Sequence, residues 1–146
     1  MRQEKRSFEE IIKRDGQLLY LTVGRSMEPM LHERRNPVVI TKIFRKLKKY
    51  DVVLYKRRAD YVLHRIVKIK DGKYIIRGDN CYENEYNITD REIIGVLAGY
   101  YKGKKYIDCK KNIRYKLYCR IRCINFIFRK PVMWLKLKVK KNVIRK

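Results

Sequence analysis

Apolar and polar positions first fall into register at residues 7–12, where Ser7 precedes Glu10 by three positions and Ile11-Ile12 follows. That spacing predicts a short helix with Ser7 as N-cap and Glu10 as its capping-box partner, ended at Asp15-Gly16. From Leu18 the period changes to apolar runs of strand length. Strands are predicted over 18–23, 37–42, 51–55 and 61–69. Asp71-Gly72 joins the fourth of these to 73–77 as a hairpin. A further strand over 92–101 turns through Lys102-Gly103-Lys104 into 105–108. Short strands separated by turn signals imply a small, mainly β domain.

After Asp108 the pattern changes again. Ile113, Leu117, Ile121, Ile124 and Phe128 stand at helical spacing among Lys and Arg, and Pro131 interrupts the run. The stretch "VMWLKLKVKKNVIRK" that follows is apolar and basic at once, with Trp134 among Leu135, Leu137 and Val139. The chain therefore divides into an N-terminal helical segment (1–16), a β domain (17–108) and a basic amphipathic helical tail (109–146). At 146 residues it is long enough for one modest core.

Charge sharpens this outline. The formal net charge is +24, and Asp108 is the last acidic side chain, so most of the excess lies in the tail. An anionic partner is implied: nucleic acid, phospholipid or an acidic protein. The tail has the composition of an interfacial helix on an anionic membrane surface, and equally of a helix that covers the open side of a small barrel. No stretch reaches the roughly 18 apolar residues of a spanning helix, and the N-terminus lacks the apolar core of a signal peptide. The expected location is cytoplasmic, or peripheral on the cytoplasmic face of the membrane. Twelve tyrosines interleave with basic residues, yet no nucleic-acid motif accompanies them, and tyrosine is favoured in strands anyway. Cys81, Cys109, Cys119 and Cys123 form no CxxC pair and read as reduced thiols.

Three segments stand apart from ordinary sheet sequence: "GRSMEPML" at 24–31, "YVLHRIVKI" at 61–69 and "RGDNCYENE" at 77–85. Together they supply a serine, a histidine and several carboxylates, the inventory in which a base takes a hydroxyl proton and an acid orients the base. Taken singly each has an ordinary explanation. A serine beside Gly and Pro is usually a turn residue. A lone histidine alternating with Val62 and Ile66 is usually packed and satisfied. Gly78-Asp79-Asn80 is a good β-turn.

Their order changes the weighing. "SMEP", then "LHRI", then "GDN" and "IIGVL", spread over residues 18–101, resembles the type I signal peptidase family and the related peptidase domain of self-cleaving repressors. The resemblance implies a small coiled β-barrel or β-ribbon peptidase domain. It implies Ser26 as nucleophile and His64 as general base, as in the histidine branch of the family rather than the lysine branch. It places Asp79 in the GDN box, where it would orient His64 or support the loop. The histidine branch also uses an aspartate shortly after GDN; here Glu85 stands at about the matching distance, with Glu83 a weaker choice. The serine or threonine that many members carry two positions before the nucleophile is Gly24 here, which leaves the backbone N–H of Ser26 as the oxyanion donor. Losing such a donor typically costs about 3 kcal/mol of transition-state stabilisation. The family's membrane-spanning segment ahead of the serine has no counterpart in this sequence.

The implied activity is cleavage of an extended peptide or preprotein with small side chains at the cut, with no metal or organic cofactor. His64 needs no large downward pKa shift to accept a proton at cellular pH. His32, in "LHERRN", reads as an exposed loop residue, and Lys42, Lys56 and Lys68 lie outside the base's box. Two rivals come from other classes: a non-catalytic peptide- or membrane-surface-binding module on the same fold, and a nucleic-acid-binding protein.

Overall fold

The computed structural model describes residues 7–124. The predicted opening helix is α1 (Phe8–Asp15). Ser7 and Glu10 form the reciprocal capping box, and Gly16 ends the helix at φ 76°, a left-handed conformation that glycine adopts without a Cβ penalty. Eight strands follow: β1 (Gln17–Leu21), β2 (Pro37–Thr41), β3 (Val52–Arg57), β4 (Asp60–Lys70), β5 (Lys73–Arg77), β6 (Glu85–Ile88), β7 (Ile93–Lys102) and β8 (Lys105–Asp108). A second helix, α2 (113–124), begins behind Asn112, whose side-chain oxygen accepts the Tyr115 amide at 2.8 Å. The part of the tail that holds Phe128, Pro131 and Trp134 lies outside the described residues.

The strands form one antiparallel sheet in the order β1-β2-β7-β3-β4-β5-β6, with β8 also paired to β7. The sheet is open. The barrel expected from the sequence is corrected accordingly: β1 and β6 are edges and do not pair with each other. β6 is only four residues long, carries Asn87 at φ 63°, and joins β5 through a shifted register, so it offers little straight edge for further pairing. β6 is also a strand that the sequence pattern does not show, because "EYNI" has no apolar alternation.

Both faces of the sheet are covered at its centre. Successive side chains of a strand point to opposite faces, and β3 is buried at four consecutive positions. Val52 and Leu54 join Val38, Ile40, Leu63 and Leu97 on one face, under Ile12 of α1, Met27, Met30 and Leu31 of the 22–36 loop, and Tyr115 and Cys119 of α2. Val53 and Tyr55 join Ile66, Tyr74, Ile76 and Ile93 on the other. This division sends the adjacent residues His64 and Arg65 to opposite faces. Among the described residues, no helix is long and apolar enough to cross a membrane.

Candidate functional site

Ser26 lies in the turn that leaves β1, half-buried, in a segment pinned from below by Met27 and Met30. The Glu28–Pro29 peptide bond is cis. The "GDN" turn after β5 docks directly on this loop. The Asn80 amide donates to the Ser26 carbonyl at 2.7 Å, and the Asn80 side-chain amide donates to the Arg25 carbonyl at 3.2 Å. Gly78 has no room for a side chain. A Cβ on Gly78 would stand 2.7 Å from the Ser26 carbonyl oxygen, 2.7 Å from Cys81 Sγ and 3.0 Å from His64 Nε2. The backbone of Ser26, the thiol of Cys81 and one ring nitrogen of His64 thus surround a single small space that only a glycine leaves open.

His64 is buried, on the β4 face that also carries Tyr55 of β3. The register sets His64 opposite Val53 and Tyr55 opposite Val62, so the two rings are diagonal neighbours. His64 Nδ1 lies 3.2 Å from Glu85 Oε1 and 3.2 Å from the Tyr55 hydroxyl oxygen. The Tyr55 hydroxyl donates to the same Glu85 oxygen at 2.6 Å, and Arg57 Nη1 approaches that oxygen at 3.2 Å. Because the tyrosine proton is directed at Glu85, Nδ1 of His64 faces two acceptors. The hydrogen-bond network therefore assigns the ring proton to Nδ1. Nε2, the nitrogen beside Gly78, keeps its lone pair. Burial lowers the His64 pKa from its ordinary 6.5, the Glu85 carboxylate partly opposes the shift, and Arg57 adds to it. A neutral imidazole at cellular pH follows. Burial and the Glu85 charge both raise the pKa of the Tyr55 phenol, so it remains a donor.

Asp79 turns away from this group. Its two carboxylate oxygens accept from Arg65 Nε and Nη2, each at 2.7 Å, and both side chains are almost wholly buried. Arg65 also donates to the Tyr50 carbonyl at 3.0 Å and to Cys119 Sγ at 2.8 Å, and its guanidinium lies against the Tyr115 and Tyr118 rings of α2. Burial works against its charge, but Asp79 more than offsets that and leaves the Arg65 pKa raised. From α2, Tyr118 donates to Asp79 Oδ2 at 2.9 Å and Arg122 Nε donates to the Asp79 carbonyl at 3.0 Å. The bidentate pair and the helix lock the GDN turn against the Ser26 loop.

No family model matches the chain, and no curated protein matches it in sequence.

Of the four residues singled out in the sequence, the structure brings the His64 and Glu85 side chains into contact, brings the backbone carbonyl of Ser26 to the Gly78 turn that His64 Nε2 also borders, and assigns Asp79 to Arg65. Gly24 leaves the path of β1 at φ 90°, and its amide donates to Glu33. His32 is exposed, 3.7 Å from Glu28, and Glu83 is exposed on the following loop. Lys42, Lys56 and Lys68 are exposed, with Lys56 paired to Glu9. Tyr55, Arg57, Arg65 and Cys81 are the site residues that sequence reasoning passed over. Arg65 had a signal, since it is the "R" of "HRI"; Tyr55 had none, being one aromatic in a strand where aromatics are common. Among the described residues, no group of three or more His, Cys, Asp and Glu is placed to hold a metal ion.

Proposed function

We propose that the protein is a serine endopeptidase of signal-peptidase type, acting on an extended peptide or preprotein segment. Ser26 is the nucleophile, His64 the general base and Glu85 the carboxylate that orients it. The reading rests on the division of labour between the two His64 nitrogens: Nδ1 faces Glu85 and Tyr55, and Nε2 borders the space at Gly78 that the Ser26 carbonyl also borders. His64 Nε2 takes the Ser26 hydroxyl proton as Oγ attacks the scissile carbonyl, and returns it to the leaving amine as the acyl-enzyme forms. Water then repeats the cycle on the ester and releases Ser26. Glu85 stabilises the transient imidazolium, and Tyr55 holds that carboxylate in place. The Ser26 amide is the oxyanion donor in this scheme. An extended substrate finds an edge at β1, which among the described residues pairs only with β2 and which runs into the Ser26 loop.

The test is cleavage of a peptide library by the full chain beside Ser26→Ala, His64→Ala and Glu85→Gln, with labelling by a fluorophosphonate probe. Loss of both cleavage and labelling in Ser26→Ala supports the scheme. Cleavage that survives in Ser26→Ala and His64→Ala overturns it. The second reading is a peptide-binding module without catalysis, which the absence of a side-chain oxyanion donor at Gly24 favours. Saturable peptide binding by wild type, with no probe labelling, selects it.

A further inference from the structure

The helix that locks the GDN turn has a second face with no partner among the described residues. Tyr115, Cys119, Tyr118 and Arg122 of α2 point inward to Arg65 and Asp79. Ile113, Leu117, Ile121 and Ile124 point outward, at relative exposures of 79%, 56%, 47% and 55%. Their spacing places them on one narrow arc of a 3.6-residue helix. A purely solvated helix would carry polar residues there.

Cations border this stripe on both sides. Arg114 flanks it on one side, and with Leu117 and Ile121 it lines a shallow apolar groove. Lys116 and Arg120 flank it on the other, where they also line a cavity of about 780 Å³ between α2 and the sheet. Lys42, Arg45, Lys48 and Lys110 reach the same cavity, and Phe44 on its wall is 80% exposed. Its two carboxylates already have partners. Asp51 is held by Arg45 and the Lys48 amide, and Asp108 by the Lys110 and Lys111 amides. The face is therefore an aliphatic ridge bordered by a surface in which cations outnumber carboxylates.

We propose that the outer face of α2 docks on an anionic phospholipid bilayer, with the ridge in the headgroup–acyl boundary and the flanking cations on lipid phosphates. A bilayer meets both halves of the pattern at once, apolar depth beneath a negative surface. A nucleic acid would satisfy the cations but leave four aliphatic side chains without the aromatic stacking that bases need. A second copy would cover the ridge but set two chains of formal charge +24 against each other. This proposal is independent of the peptidase reading.

The experiment is co-sedimentation of the full chain with phosphatidylcholine vesicles, with and without phosphatidylglycerol. It compares wild type with Leu117→Ser/Ile121→Ser, Lys116→Gln/Arg120→Gln and, as a control, Leu19→Ser/Leu21→Ser on the exposed edge of β1. Circular dichroism melts establish that each variant is folded. The expected result is binding that requires phosphatidylglycerol, weakened about tenfold or more by the helix ridge variant, weakened by the cation variant, and little changed by the β1 control. Four results would overturn the proposal: no binding to anionic vesicles; binding that the ridge variant leaves intact; a β1 control as damaging as the ridge variant; or ridge substitutions that abolish a dimer or duplex-oligonucleotide binding while vesicle binding persists.

Discussion

Arg65 and Asp79 form the pair on which the shape of the site depends, and its strength can be measured. Their side chains are 1% and 2% exposed and share two hydrogen bonds of 2.7 Å. Removing one partner of a buried pair strands the other charge, at a cost of about 3–5 kcal/mol. Arg65→Met leaves the Asp79 carboxylate with the Tyr118 hydroxyl at 2.9 Å, and it also removes the bonds to the Tyr50 carbonyl and Cys119 Sγ that tether α2 to the sheet. Asp79→Leu leaves the guanidinium with those two acceptors still in place, so the expected cost is toward the lower end of that range. A domain of this size is stable by only about 5–15 kcal/mol, so either change removes a large share. Urea unfolding followed by circular dichroism gives each value. The double variant Arg65→Met/Asp79→Leu strands neither charge and should lose less than the sum of the singles by about 2 kcal/mol or more. Singles within about 1 kcal/mol of wild type, or a strictly additive double variant, would refute the claim that this pair holds the GDN turn.

Three further outcomes are expected, those on kcat, KM and cleavage under the proposed peptidase scheme. Glu85→Gln keeps the shape of the carboxylate but not its charge, so kcat should fall about a hundredfold or more with little change in KM, read from single-turnover kinetics on a cleaved peptide. Tyr55→Phe should lower kcat less than Glu85→Gln does. The second outcome concerns pH. The folded His64 pKa lies below its ordinary 6.5, so kcat/KM should hold down to pH 6.5 and decline only as pH falls through the lowered value. In the same window the unfolded chain binds the extra proton, so this group's contribution to stability is intact above 6.5 and is lost as pH falls towards the folded pKa. His64→Gln should flatten that part of a stability–pH curve, and an unchanged slope would count against the assignment. Third, Gly78→Ala places a methyl 2.7 Å from both the Ser26 carbonyl and Cys81 Sγ, which should cost about 1–3 kcal/mol in thermal unfolding and abolish cleavage. Adding Cys81→Ala should restore only part of the stability, because the backbone clash remains.

Local pattern carried much of the architecture. Seven strands, the hairpin at Asp71-Gly72 and the capped opening helix were legible because their signals are short-range: alternation, turn dipeptides, and a serine three residues before a glutamate. β6 was not, since a polar edge strand is defined by the partner it pairs with, and "EYNI" pairs with β5 without an apolar face of its own. That gap bears on the site, because β6 carries Glu85. Open or closed sheet was equally out of reach, since it turns on whether two edges distant in sequence meet.

Sequence by itself determined the residue types and their order: a serine in a Gly–Pro turn, a histidine on an apolar strand face, a GDN turn, and a tail without a carboxylate after Asp108. Only the tertiary structure decided which acid belongs to which base. Neighbours in a strand face opposite ways, so His64 looks towards Tyr55 and Glu85 while Arg65 looks towards α2 and takes Asp79. Two carboxylates six residues apart in the chain are thereby committed to opposite faces of one sheet. The pleat allows this division, and strand register and the packing of α2 complete it, because a buried charge is stable only where a partner waits for it.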